Sequence, residues 1–286
     1  MTLILAFKLT HGEGDAVLVM SDSKATAAFG IAYDVKKIHP IRFKGNAVGL
    51  VSGAGDSGLV KGGFKLAEDV LMRYAEKAYP LSQDDFAKAS EEIQSSLLSK
   101  FSQLRGLNLE PDFRMILCGL DLSGKASIYC YDSRGLSEPV HNNPGYAIIG
   151  SGFVTGGALL LKLLGYTPEV DLDRLALMNT FVLDNVSEVD TAVGPFVGES
   201  YLMRLEHDKG AKRIVLGALY DDALVEYKRK ASSRRDLFRM VWRASDRLGE
   251  EKVRELLNLP NEKKPSTKPA QSLRHLNKRK STHMKS

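Results

Sequence analysis

Cysteine and long apolar runs are both scarce in this chain. Only Cys118 and Cys130 among the 286 residues are cysteines, and no run of about 18 uninterrupted apolar residues occurs. A secreted chain of this length usually carries more cysteines, so two buried free thiols in a reducing compartment are expected. The sequence therefore predicts a cytoplasmic protein without an export signal or a membrane span.

Metal-ligand spacing is also missing from the histidines. His11, His39 and His141 stand near turns, and none of them falls into the spacing of a zinc site. We accordingly expect no metal and no cofactor, and we assign these histidines to surface or packing roles.

Positive charge is concentrated in one segment of the chain. The net charge is +5, but residues 261–286 alone carry a net +7, and the remaining residues carry a net −2. Low hydrophobicity together with many Ser, Asn and Lys residues is typical of a disordered, solvated tail. Nucleic acid is therefore an unlikely partner, although a contact of the tail with an acidic partner stays open.

Apolar patterning predicts strands gathered in pairs, with pairs of helices between them. Two hairpins come first, the second of them opening with a strand over 27–33, and helices begin near Asp56 and at the capping sequence from Ser82. A third hairpin, a helix from Thr155, a helix over 172–185 with Asp171 at its start, a last hairpin over 200–219 and C-terminal helices over 221–259 follow. This order indicates an α+β layered domain with sheets inside and helices outside. In the C-terminal helix, acidic residues match the arginines, so a packed subunit contact is preferred over nucleic-acid binding.

The start of the chain combines a hydroxyl with a terminal amine. An initiator Met is normally removed before a residue as small as Thr2, which would leave Thr2 with a free α-amino group. Such an amine has an unperturbed pKa of about 7.7–8.0, so it can accept the proton of a nearby hydroxyl near neutral pH. Thr2 is therefore a candidate nucleophile that carries its own base, although an inert terminus is the common alternative.

Two charged residues are expected to reach Thr2 from neighbouring strands. Asp22 ends the second predicted strand, and antiparallel pairing brings that end beside the start of the first strand. Lys37 precedes the apolar Ile38, so its ammonium could be desolvated or paired with Asp22, and a cation lowers the pKa of a neighbouring hydroxyl. A plain salt bridge, or two solvated charges, is the alternative. The turn Ser52-Gly53-Ala54-Gly55 before a helix offers main-chain N–H groups for an oxyanion.

These motifs together resemble a proteasome β-type subunit of the N-terminal-nucleophile hydrolases, including the simple bacterial proteasome-like rings. The resemblance covers about residues 2–245 and rests on motifs in the family's order, namely Thr2, Ser21–Thr26, Val35–Ile38, the glycine turn before Asp56, Gly150–Gly152 and Asp190. It implies a four-layer αββα sandwich with Thr2 as nucleophile and Asp22 and Lys37 as the residues that tune it. Ser151 and Asp190 would surround the α-amine.

The sequence departs from the family's pattern at two positions. An ungapped count from Asp56 places Ser52 where the family has its oxyanion glycine, and a one-residue shift restores Gly53. Val193 stands where the family usually has a second serine, which removes a hydroxyl near the terminal amine. The same alignment implies a specificity pocket with small and apolar walls, which favour an apolar substrate side chain. Its lining residues would be Ala25, Val35, Leu50 and Ala54.

The sequence thus favours a threonine-type peptide hydrolase that works through an acyl-enzyme. The hydrolase domain is expected over residues 2–260, with the basic tail over 261–286. The implied partners are a peptide or unfolded protein as substrate, further copies in a homo-oligomeric ring and possibly an unfoldase. A peptide ligase, transpeptidase or amidase on the same scaffold is the alternative enzyme, and a non-catalytic ring subunit is the alternative outside catalysis.

Overall fold

A computed structural model of the chain describes residues 2–26, 32–34, 36–194, 197–208 and 211–258. The strands within these residues are β1 (Ile4–His11), β2 (Gly14–Asp22), β3 (Lys24–Thr26), β4 (Ala32–Asp34), β5 (Ile38–Phe43), β6 (Asn46–Gly55), β7 (Phe113–Leu120), β8 (Ala126–Tyr131), β9 (Ser137–Pro139), β10 (Tyr146–Ile149), β11 (Val197–Asp208) and β12 (Ala211–Ala218). The helices are α1 (Ser57–Lys77), α2 (Gln83–Gly106), α3 (Ala158–Leu163), α4 (Leu172–Val189), α5 (Asp221–Leu248) and α6 (Glu250–Leu256). A π-helical turn, Phe153–Gly157, precedes α3.

Two antiparallel five-stranded sheets form the centre of the first compact unit, which extends to Arg235. The first sheet has the order β10-β1-β2-β11-β12, and the second has the order β5-β6-β7-β8-β9. One apolar cluster lies between the sheets, a second joins the first sheet to α3, α4 and the start of α5, and a third joins the second sheet to α1 and α2. The predicted αββα sandwich is therefore confirmed.

The two strands that lead to Thr2 and Asp22 are buried on both faces. Leu3 and Leu5 face the helices over the first sheet, whereas Ile4 and Ala6 face the second sheet. Burial on both faces explains why the apolar runs of β1 and β2 do not alternate with polar residues. Burying each such Leu or Ile contributes about 2 kcal/mol, so the start of the chain is anchored in the core.

Side-chain caps begin three of the long helices. Asp56 accepts hydrogen bonds from the N–H groups of Gly58 and Leu59 at the start of α1, and Ser82 and Asp85 form a reciprocal capping box at α2. Asp171 accepts from the N–H of Arg174 at the start of α4. Each cap supplies acceptors for N–H groups that have no partner within the helix, and the starts predicted at Ser82 and Asp171 are confirmed.

Other predicted elements differ at their boundaries. Of the strand predicted over 27–33, the structure describes residues 32 and 33 within β4, and residues 27–31 lie outside the described part. The helix predicted from Thr155 begins as the π-helical turn, where Gly156 has a φ of 140°. The short strands β3 and β9 have too few residues for a recognisable alternating pattern.

The second compact unit begins at Asp236, within α5, and its described part ends at Asn258. It contains the C-terminal half of α5 and the short helix α6. The predicted domain end at residue 260 and the tail after it lie outside the described residues and stay predictions. None of the described helices is long and apolar enough to cross a membrane.

Candidate active site

Thr2 lies between an acid and an amine in the interior of the protein. Its hydroxyl donates to Asp22 Oδ1 at 2.5 Å and accepts a hydrogen bond from Lys37 Nζ. The three residues are only 4%, 0% and 5% exposed, respectively. The structure therefore brings together the three residues that the sequence placed at the centre of the site.

Strand pairing produces this geometry. Ile4 pairs with Ser21 in the β1–β2 ladder, and the N–H of Asp22 donates to the carbonyl of Leu3 at 3.1 Å. The start of β1 thus lies against the end of β2, as antiparallel pairing requires. Lys37 reaches the same point from the other sheet, because it immediately precedes β5.

The Asp22 carboxylate accepts hydrogen bonds on both oxygens. Oδ1 accepts from the N–H of Leu3 at 2.8 Å and from Lys37 Nζ at 2.6 Å, in addition to the Thr2 hydroxyl. Oδ2 accepts from the N–H groups of Lys24 and Gly194 at 3.2 and 2.8 Å. A buried carboxylate with this many donors is held in one orientation, with partners on both oxygens.

Lys37 is held by a carboxylate and a carbonyl, in addition to Thr2. Its Nζ donates to Asp22 Oδ1 and to the carbonyl oxygen of Lys24. Burial lowers the pKa of Lys37, while the charges of Asp22 and Glu199 and the hydrogen bond to Asp22 act in the opposite direction. An amine whose pKa is lowered beside a hydroxyl can exchange a proton with it more easily than a solvated lysine can.

Ser151 stands beside the main chain of Thr2. The N–H of Gly152 donates to the carbonyl of Thr2 at 3.3 Å, and a Cβ on Gly150 would lie 2.0 Å from that same oxygen. Gly150 has a φ of 98°, so both its conformation and its close contact require glycine. The Ser151 hydroxyl oxygen is buried and has no hydrogen-bond partner among the described residues.

Within the described residues, the Asp190 side chain bonds to the π-helical turn and to its own loop, not to Thr2 or Ser151. Its Oδ2 accepts from the Thr155 hydroxyl at 3.1 Å, and its Oδ1 accepts from the N–H of Ala192 at 3.0 Å. Val193 is buried in the apolar cluster that also contains Leu3. The role of Ser151 and Asp190 around the free amine therefore stays a prediction.

The strand register separates the two oxyanion candidates. The N–H of Gly53 faces β5 and donates to the carbonyl of Lys37 over 3.4 Å, which is a long hydrogen bond. Since successive N–H groups point to opposite sides of a strand, the N–H of Ser52 faces β7, where Ser52 pairs with Ile116. Gly53 is therefore the candidate whose N–H lies on the Lys37 side.

The predicted pocket residues occupy different environments. Leu50 and Ala54 are buried in the core between the sheets. Ala25 is described only as main chain of β3, and Val35 lies outside the described residues. Two cavities of about 700 and 420 Å³ are lined by α4, α5 and Val197 and contain no predicted site residue. The specificity pocket stays a prediction.

Neither cysteine is a good alternative to Thr2 as the nucleophile. Burial raises the pKa of Cys130 to about 11 and raises that of the fully buried Cys118 further. A thiol reacts as its thiolate, so neither side chain is activated near neutral pH. Both are free thiols, as the sequence predicts.

Sequence reasoning missed three residues that support the site. Gly194 donates to Asp22, Thr155 donates to Asp190, and Glu199 accepts from the main-chain N–H groups of Lys37 and Ile38. Each of these contacts joins residues that are at least 35 positions apart in the chain. No local sequence pattern marks Glu199, because both of its contacts are made to main-chain N–H groups more than 160 residues away.

Known structures share this fold. No protein-family model matches the chain, and no curated protein matches its sequence. Two solved structures of Anbu from Hyphomicrobium sp. strain MC1, one of them a mutant form, are similar with TM-scores of 0.60 and 0.58. Each is 16% identical and covers 83% of this chain, and the matches span 96% and 97% of the Anbu chains. The chain therefore shares the αββα fold of these Anbu structures.

Proposed function

We propose that the chain is a threonine-type peptide hydrolase that uses Thr2 as its N-terminal nucleophile. The observation that carries this proposal is the buried contact of the Thr2 hydroxyl with both Asp22 and Lys37. A buried ion pair closed around a hydroxyl is an arrangement that activates a nucleophile, because the nearby cation lowers the pKa of the hydroxyl.

The proposed reaction begins once Met1 has been removed and the Thr2 amine is free. Thr2 Oγ attacks the peptide carbonyl carbon and passes its proton to the α-amine, with Lys37 as the neighbouring cation. The amine then returns the proton to the leaving nitrogen as the peptide C–N bond breaks. Water then attacks the resulting ester. Its hydroxyl bonds to the acyl carbon and gives the acid product, and its proton restores the Thr2 hydroxyl as the ester C–O bond breaks.

Two groups would assist these steps. The N–H of Gly53, released from its long bond to the Lys37 carbonyl, would donate to the developing oxyanion. The Ser151 hydroxyl has no partner among the described residues and stands beside Thr2, so it is available to orient the free amine. Asp190 would act at a distance, through Thr155 and the π-helical turn.

We further propose that the chain works in the cytoplasm as a homo-oligomeric ring on peptides or unfolded proteins. The proteasome-like fold of the Anbu structures supports the ring, and the two free thiols suit a reducing compartment. An ATP-driven unfoldase is the partner that such a ring would use for folded substrates. The proposed chemistry requires no cofactor.

Intact mass spectrometry with a peptide β-lactone or epoxyketone tests this proposal. We expect the purified chain to lack Met1 and to gain the mass of one probe, with the adduct mapped to Thr2. Thr2→Ala should abolish the adduct, whereas Thr10→Ala, on the exposed end of β1, should leave it unchanged. A retained Met1, or an unmodified Thr2, would exclude the hydrolase and favour a non-catalytic ring subunit.

Adding an amine separates hydrolysis from peptide transfer on the same acyl-enzyme. A hydrolase releases mainly the carboxylic acid from a model peptide even when an amine nucleophile is present. If the amide product dominates instead, the chain is a ligase or transpeptidase, because the amine then outcompetes water at the ester.

A further inference from the structure

A carboxylate from the first sheet holds the main chain of Lys37. Glu199 Oε2 accepts the N–H of Lys37 at 2.5 Å and the N–H of Ile38 at 2.9 Å. Glu199 belongs to β11, whereas Ile38 begins β5 in the other sheet. Hydrogen bonds to a charged acceptor are stronger than those between neutral groups, so Glu199 ties the two sheets together at the residue before β5.

An irregularity in the strand pairing aims Glu199 at this position. Val197 pairs with Asp22 and Glu199 pairs with Ser21, so three residues of β11 lie opposite two residues of β2. The extra residue is Gly198, and a Cβ there would lie 2.3 Å from the Cα of Ser23. A β-bulge redirects the side chain beside it, and glycine alone permits this close approach.

Lys37 is consequently fixed on several sides. Its N–H binds Glu199, its carbonyl accepts from Gly53, and its ammonium contacts Thr2 and Asp22. The first two contacts orient the Lys37 main chain, and that orientation determines the position of Nζ.

We propose that Glu199 is a positioning residue for Lys37, whose carboxylate fixes the Lys37–Ile38 main chain so that Nζ meets Thr2 Oγ and Asp22. The inference rests on the proposed function in one respect, namely that the placement of Nζ governs the reactivity of Thr2. The hold of Glu199 on Lys37 is independent of whether the site is catalytic.

Glu199 also acts on the charge of Lys37. Among the described residues, the charged groups that act on this lysine are Asp22 and Glu199, and removal of Met1 would add the Thr2 amine. Both carboxylates raise the pKa of Lys37, against the effect of burial. Replacing the Glu199 carboxylate by a neutral amide should therefore lower the pKa of Lys37 further and increase the fraction of neutral amine.

Competitive acetylation of lysines across a pH series measures this effect without requiring activity. The full chain is labelled with acetic anhydride, and the Lys37 peptide is quantified by mass spectrometry. We expect the midpoint of Lys37 labelling to move to lower pH in Glu199→Gln. Glu206→Gln, the same change on the same strand but paired with Arg204, should leave the midpoint unchanged.

The rate of acylation by the β-lactone tests positioning. Glu199→Gln should acylate about tenfold more slowly than wild type, since a charged acceptor of two N–H groups is lost. Glu199→Asp keeps the charge but shortens the side chain, so it should also acylate slowly while the labelling midpoint stays near that of wild type. A structural role alone would not separate these two readouts.

The outcomes distinguish this inference from the proposed function. If wild type forms no adduct but Glu199→Gln shifts the labelling midpoint, the hydrolase proposal fails and the hold of Glu199 on Lys37 stands. If Glu199→Gln matches Glu206→Gln in both readouts, the positioning role is overturned. Should Glu199→Gln not fold, Glu199→Asp decides the question, because acylation at the wild-type rate would overturn it.

Discussion

The two compact units differ in which side chains they bury and which they expose to solvent. In the first unit, charged Asp22 and Lys37 are almost completely buried. In the second unit, Phe238 and Trp242 on α5 are 59% and 63% exposed, and their rings lie 6.1 Å apart. The units also differ in charge, with a net −2 up to Arg235 and a net +7 from Asp236 onward.

The comparison shows what each departure from ordinary burial requires. Buried charge is costly unless every charged atom has partners, and the Asp22–Lys37 pair meets that condition through Thr2 and main-chain groups. Exposed aromatic side chains on one helix face have no comparable local reason, and such faces are typical of contact surfaces. The buried ion pair finds its partners within the single chain, whereas the exposed aromatic pair stays uncovered there.

Removing the buried cation should have the largest effect on the first unit. Lys37→Met leaves the Asp22 carboxylate buried without its cation, with only the Thr2 hydroxyl and main-chain N–H groups as donors. This should lower the free energy of unfolding by about 3 kcal/mol. Urea denaturation at neutral pH measures the change. Lys100→Met, at an exposed position on α2, is the control and should have little effect. An equally small effect at Lys37 would mean that the pair adds nothing to stability.

Adding one methyl group beside Thr2 should have the next largest effect. Gly150→Ala would place a Cβ 2.0 Å from the Thr2 carbonyl oxygen at a φ of 98°. We expect a loss of about 2–3 kcal/mol from backbone strain and overpacking, together with slower acylation of Thr2. Thermal unfolding and probe labelling measure the two effects.

Gly165→Ala separates strain from contact. Gly165 also has a positive φ, of 67°, but a Cβ there would meet no atom within 4 Å. Its substitution should therefore cost only the backbone strain of about 1 kcal/mol and leave acylation unchanged. Equal losses at the two glycines would show that the contact with Thr2 relaxes without cost.

The sequence reveals those parts of the site that depend on local pairing. Asp22 could be placed beside Thr2 because a hairpin brings the end of one strand to the start of the other. The choice between Ser52 and Gly53 could not be made, since it depends on the register of β5 against β6. Glu199 was out of reach, because its contacts lie 161 and 162 residues away and are made to main-chain N–H groups across a bulge.

The pH dependence of stability sharpens the account of Lys37. Burial lowers the pKa of this lysine below its ordinary value of 10.5. Between the lowered pKa and 10.5 the unfolded chain holds a proton that the folded chain has released, so the free energy of unfolding rises with pH across this window. Wild type should accordingly gain stability relative to Lys37→Met as the pH approaches 10.5, in a smaller change than the loss at neutral pH.

Urea denaturation of both proteins at several pH values measures this difference. Buried tyrosines with raised pKa values also make stability depend on pH near 10, because they lose their protons there only in the unfolded chain, but they are common to both proteins and cancel in the comparison. A difference that falls with pH would show that the charges of Asp22 and Glu199 outweigh the burial of Lys37.

The smallest effect is expected on the exposed face of the second unit. Phe238→Ser and Trp242→Ser remove apolar surface that is already in contact with water, so each should change the free energy of unfolding by less than about 0.5 kcal/mol. Leu175→Ala, at a fully buried position on α4, provides the contrast and should cost about 3 kcal/mol.

Trp242 is the only tryptophan in the chain, so its fluorescence and its quenching by iodide report directly on this face. Quenching that is strong at low protein concentration and weakens as the concentration rises would mean that a second copy covers the aromatic pair. In that case the losses caused by Phe238→Ser and Trp242→Ser would grow with protein concentration, because association stabilises the folded chain by mass action.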